Sequence, residues 1–190
     1  ETFRFSEDLD FTLTDNSQLN EDFLKNAFLE IITFLTEEVG IEFMPDELKF
    51  KIIDKGNGNH SAQGKVTYNG PLRKKRGVAT IKLDLTTDEV LVLTQVIKPV
   101  HHPYTDEPKH GIHATCYAFE EVVAEKIRAL AQRIRPRDLY DVVHFFRNRE
   151  MIGNTKLVLS ILDKKCQYKN MSIPTFEDIE QHEKLDELEP

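Results

Sequence analysis

Leu9, Phe11 and Leu13 alternate with Asp8, Asp10 and Thr12, and apolar residues at every second position predict a strand with one face against a core. The same period puts Asp8 and Asp10 together on the other face. Two carboxylates so placed can share a small hard cation such as Mg²⁺, which is a geometry of phosphate chemistry. An acidic strand end turned to solvent is the plainer alternative, and an Asp-x-Asp alone does not choose between them.

The rest of the chain narrows the choice. With 190 residues, 39% of them hydrophobic and 12 of them Phe, it has the apolar material for one sizeable core with an appended helical part. No apolar run approaches membrane-spanning length and no basic-then-apolar leader opens the sequence, so a soluble protein is expected. Cys116 and Cys166 are the two cysteines, too few for a disulfide scaffold or a four-cysteine zinc site and in keeping with a reducing cytoplasm. A net charge of −8 excludes bulk electrostatic coating of nucleic acid but leaves room for a local basic surface against RNA. The first residue is Glu1 and the strand follows almost at once, so the chain is expected to be a fragment.

Asn20, followed by Glu21 and Asp22, predicts a helix start, with Gly40 as the stop. Phe23, Leu24, Ala27, Phe28, Ile31, Ile32 and Leu35 would be its core stripe. A strand is expected over residues 49–53 and a loop over 56–64. Strands over 65–68 and 77–86 would form a hairpin through Asn69-Gly70-Pro71 and Arg73-Lys74-Lys75-Arg76. That basic tip reads either as a solvated turn or as a phosphate contact. In the second hairpin strand Thr80, Lys82, Asp84 and Thr86 face away from Ala79, Ile81, Leu83 and Leu85. If this strand neighbours the first with polar faces together, Asp84 joins Asp8 and Asp10. Three carboxylates can hold two divalent ions that neutralise a triphosphate and activate an attacking hydroxyl.

Residues 90–100 read as an apolar strand ending at Pro99. His101, His102, His110 and His113 follow in a Pro-rich loop, with spacing that completes no recognised metal set. Phe119, Val122, Val123, Ile127 and Leu130 mark a helix over 119–133 with Lys126 inside its stripe. That lysine either snorkels or reaches a nucleotide phosphate. Pro136 opens the next helix, whose core face is Leu139, Val142, Val143 and Phe146. Asp138 could pair with Lys126 or Arg137 and aim the cation, while Asp141 is read as serving the helix dipole. Two more helices are expected over 154–166 and 175–188, the last strongly acidic and solvated or partner-facing.

Four stretches together, Arg4-Phe5-Ser6-Glu7-Asp8-Leu9-Asp10-Phe11, Ile81-Lys82-Leu83-Asp84, Ala124-Glu125-Lys126-Ile127-Arg128-Ala129-Leu130 and Arg137-Asp138-Leu139-Tyr140-Asp141, resemble the AbiEii/AbiGii nucleotidyltransferase toxin family in the family's own order. The resemblance implies an α+β fold, with a DNA polymerase β-like mixed sheet flanked by helices over 1–117 and a C-terminal helical bundle over 118–190. It implies catalytic Asp8, Asp10, Asp84, Lys126 and Asp138, the first three as Mg²⁺ ligands and Lys126 on the nucleotide phosphates. Ser6, Lys82, Arg137 and Asp141 lie in the same motifs as substrate-binding candidates. The implied partners are an NTP, with GTP or a pyrimidine NTP as candidates, an RNA acceptor that in some members is the tRNA 3′ end, and a cognate antitoxin. The implied setting is toxin–antitoxin pairing and abortive phage infection in the cytoplasm.

One feature of the family is missing. A Gly-Gly or Gly-Ser pair is expected about ten residues before the acidic pair, holding the triphosphate through backbone N–H groups; seven residues precede Asp8 and none is Gly. The chain is therefore expected to lack half of the phosphate grip and to be inactive without it. Two rival expectations are a nucleotidyltransferase-like binding module without turnover, and transfer to a small molecule or a protein. Arg73 to Arg76, with Arg128, Arg133 and Arg135, lean toward RNA.

Overall fold

The acidic strand forms where its alternation predicts it, as β1 (Asp8–Thr12), in a computed structural model that describes residues 8–56, 59–70, 78–105 and 107–180. Ser6, the Arg73–Arg76 cluster and residues 181–190 lie outside the described residues. The chain divides into two units, Glu1–Glu89 and Val90–Pro190, and the fold class is α+β as expected.

In the first unit β1 is followed by α1 (Glu21–Val39), β2 (Lys49–Gly56), β3 (Asn59–Tyr68) and β4 (Ala79–Thr86). The sheet order is β1-β4-β3-β2. β1 runs parallel to β4, and the other pairs are antiparallel. Asn20 caps α1, its side chain accepting from the N–H groups of Asp22 and Phe23, and Gly40 ends it at φ 74°, a left-handed conformation that favours glycine. Leu24 and Ile32 of α1 are buried with Ala62, Val66, Leu83 and Leu85 of the sheet. The helix thus covers one sheet face, opposite the carboxylates.

Two expectations about this core need correction. Leu9 and Phe11 are 50% and 42% exposed, because β1 is the sheet's edge and α1 packs toward β2. Phe23 and Ile31 are likewise exposed, so the buried stripe of α1 is narrower than its apolar pattern. The loop expected over 56–64 is mostly strand, since β3 begins at Asn59. Gly64 within it lies opposite Phe50 of β2, and a Cβ there would clash with Cε1 and Cδ1 of the Phe50 ring. That ring packs on Phe28 with centroids 5.2 Å apart. Gly64→Ala should therefore cost about 1–3 kcal/mol through overpacking, measurable by urea unfolding; an unchanged midpoint would show that the ring can swing clear.

The second unit contains β5 (Val96–Val100), β6 (Ile112–Cys116), α2 (Phe119–Arg133), α3 (Pro136–Arg147), α4 (Thr155–Tyr168) and α5 (Phe176–Glu180). The apolar run from residue 90 is strand only from Val96, and Pro99 lies inside β5 rather than at its end. Val92 and Leu93 pack into a core with Val123, Ala124, Val158, Ile161 and Leu162 instead. His113 belongs to β6, a strand the loop reading did not anticipate. No described helix is long and apolar enough to cross a membrane.

Candidate active site

Strand register brings the first-unit carboxylates together. Asp10 of β1 lies opposite Asp84 of β4, and Asp8 lies opposite Lys82. Partners in adjacent strands share a face, as do residues two apart on one strand. Asp8, Asp10 and Asp84 therefore occupy one sheet face, on the side away from α1. Asp10 is exposed and the other two are half-buried. Among the described residues no group of three His, Cys, Asp or Glu side chains is arranged to hold a metal; what brings these three carboxylates to one face is the backbone register. Mg²⁺ suits such a donor set. It prefers hard oxygens and commonly takes one or two carboxylates, with water and substrate phosphates completing its shell.

The second unit organises Lys126. A short turn joins α2 to α3 through Ile134, which is fully buried at φ 40°. A β-branched residue in that region is strained by about 1–3 kcal/mol, and its burial helps to hold it there. The turn brings the Arg133 guanidinium onto Asp138, with Nε to Oδ2 at 2.6 Å and Nη2 to Oδ1 at 2.8 Å. Asp138 is 0% exposed. Lys126 Nζ lies 2.8 Å from Asp141 and 4.0 Å from Asp138, with its side chain 29% exposed. Asp138 was expected to pair with Lys126 or Arg137. Lys126 is within ion-pair reach of it, but its tight partner is Arg133, one of the residues that lean toward RNA by sequence, while Arg137 is exposed. Asp141 sits past the first turn of α3 and holds Lys126, so the dipole role does not describe it.

A second charge cluster was missed altogether. Lys165 of α4 is buried, 3.1 Å from Glu121 and 3.4 Å from Glu125, and donates to the Val90 carbonyl at 3.0 Å. Glu121 accepts the N–H groups of Val92 and Leu93 at 2.9 and 3.0 Å. Arg128 is buried, paired with Glu125 and bonded to Gln132. Arg128 and Arg133 are thus engaged inside the chain, leaving Arg135 exposed among the second-unit arginines expected to favour RNA. The signal for Lys165 was its place in the stripe Val158, Ile161, Leu162, Lys165, Cys166, all buried.

A family model described as the nucleotidyl transferase AbiEii toxin of type IV toxin–antitoxin systems matches residues 1–189. The chain belongs to the AbiEii family. No curated protein and no solved structure matches it significantly. AbiEii membership implies a nucleotidyltransferase that acts as the toxin of a type IV system, with a nucleotide substrate and an antitoxin as the system's other component. The four motifs that resembled the family lie within the matched residues.

Proposed function

We propose that this AbiEii protein transfers a nucleoside monophosphate from an NTP to a hydroxyl of an RNA acceptor, foremost a tRNA 3′ end. The observation that carries this reading is the β1–β4 register, which puts Asp10 beside Asp84 and Asp8 on the same face. Asp8, Asp10 and Asp84 are the residues that would hold Mg²⁺. Bound there, the metal would neutralise triphosphate charge and lower the pKa of the attacking hydroxyl. Asp84 takes the acceptor's proton as its oxygen bonds to the α-phosphorus. The bond from that phosphorus to the bridging oxygen breaks, and pyrophosphate leaves with the electron pair. Lys126 supplies a point charge to the nucleotide phosphates, exchanging Asp141 for them, while Asp138 is a positioning residue clamped by Arg133. Ser6, Lys82, Arg137 and Asp141 remain substrate-binding candidates.

The test incubates the protein with Mg²⁺, each α-labelled NTP in turn, and total bacterial tRNA. RNA that gains label, and loses the gain on chelation, supports the reading and identifies the nucleotide. Label on protein or on a small molecule would replace RNA as the acceptor. Lys126→Met should raise KM for the NTP roughly tenfold to a hundredfold, the worth of a charged hydrogen bond. A lower melting temperature with KM unchanged would reduce Lys126 to a scaffold residue.

A further inference from the structure

The sheet face away from α1 carries more than carboxylates. Reading register across the strands, Asp8 of β1 is followed by Lys82 of β4, Lys65 of β3 and Lys49 of β2. The neighbouring row runs Asp10, Asp84, Gln63, Lys51. Lys49, Lys51, Lys65 and Lys82 are all exposed, and among the described residues none makes an ion pair. Like charges placed directly opposite destabilise a sheet. Three lysines in one row therefore repel one another, with Asp8 at the row's end and Asp84 two residues from Lys82 as the carboxylates nearest them on that face. On a chain of net charge −8 this is a concentrated positive track, and it runs up to the proposed metal ligands.

We infer that this lysine row binds the phosphodiester backbone of a single-stranded RNA acceptor and leads its 3′ end to Asp10 and Asp84. The inference rests on the transfer reading above and names the acceptor surface of the same site. Length favours a polynucleotide over one triphosphate. Three strand spacings separate Asp8 from Lys49, roughly 14 Å, so a nucleotide reaching Asp8 and Lys82 leaves Lys65 and Lys49 for a longer polyanion. Phosphate contacts of this kind position a strand and carry no base preference.

The experiment measures fluorescence anisotropy of a labelled single-stranded RNA of about a dozen nucleotides, titrated with the protein at salt from about 50 to 200 mM. Lys49→Gln with Lys65→Gln should weaken binding tenfold or more at low salt. It should also reduce the slope of log K against log salt by about 1.4, at about 0.7 per phosphate released. Lys65→Arg should keep wild-type affinity, and Lys25→Gln on α1, across the sheet, should change nothing. The double variant should melt no lower than wild type, since it relieves like-charge contacts. Wild type failing to bind RNA, or the double variant binding it equally well, overturns the inference. So does a parallel fall in NTP affinity, which would give the row to the triphosphate. RNA bound through these lysines without receiving a nucleotide would uphold the surface and sink the transfer reading instead.

Discussion

Asp10→Asn is expected to lower nucleotide transfer by about a thousandfold or more while the protein stays folded. Metal-borne charge stabilisation is worth several kcal/mol, and each 1.4 kcal/mol is about a factor of ten in rate. Asp10 is exposed and sits opposite Asp84, so neutralising it removes a like-charge neighbour. The melting temperature should stay level or rise slightly. A second readout avoids turnover: Mg²⁺ with an NTP should raise the melting temperature of the wild type through linkage and fail to raise that of the variant. Transfer surviving in Asp10→Asn would move the metal site elsewhere, whereas loss of transfer together with a large fall in melting temperature would make Asp10 structural.

The largest stability effect should come from Lys165→Met. The ammonium is buried among Glu121, Glu125, the Val90 carbonyl and the Tyr117 ring, 5.3 Å from its centroid. Removing one partner of a buried ion pair strands the other, at about 3–5 kcal/mol. Against a total stability of roughly 5–15 kcal/mol, that is enough to show as a large drop in urea midpoint. Glu121→Gln added to Lys165→Met should cost less than the two changes summed, because the stranded charge is gone. Additive losses would mean that the two side chains do not interact, and a loss under about 1 kcal/mol would match an exposed pair instead.

The cluster has a structural consequence beyond its energy. Glu121 and Lys165 bond the backbone at Val90, Val92 and Leu93. That segment read as part of a strand because it is apolar. Its N–H groups at Val92 and Leu93 instead find a carboxylate from α2, which satisfies them as a ladder would and lets both side chains enter the helical core. An apolar run of this length fits a buried strand and a core-packed connection equally well. What decides is a glutamate nearly thirty residues away.

Much of the site was legible in the sequence because it depends on short-range regularities. Period two put Asp8 and Asp10 on one face and set Lys82 and Asp84 apart from Leu83 and Leu85. Asn20, Gly40 and Pro136 marked helix ends through groups within a few residues of them. The order of four motifs carried the family. Tertiary structure decided which charges meet. Asp84 gained its meaning from β1 lying parallel beside β4, a pairing between strands far apart in the chain. Arg133 went to Asp138 because a left-handed residue, Ile134, folds α3 back onto the end of α2, and Lys126 went to Asp141 on the same account. Side-chain periodicity is a property of the local backbone and can be read from it. Ion-pair partners and strand neighbours depend on how burial of apolar surface packs distant segments, and those are known once the chain has folded.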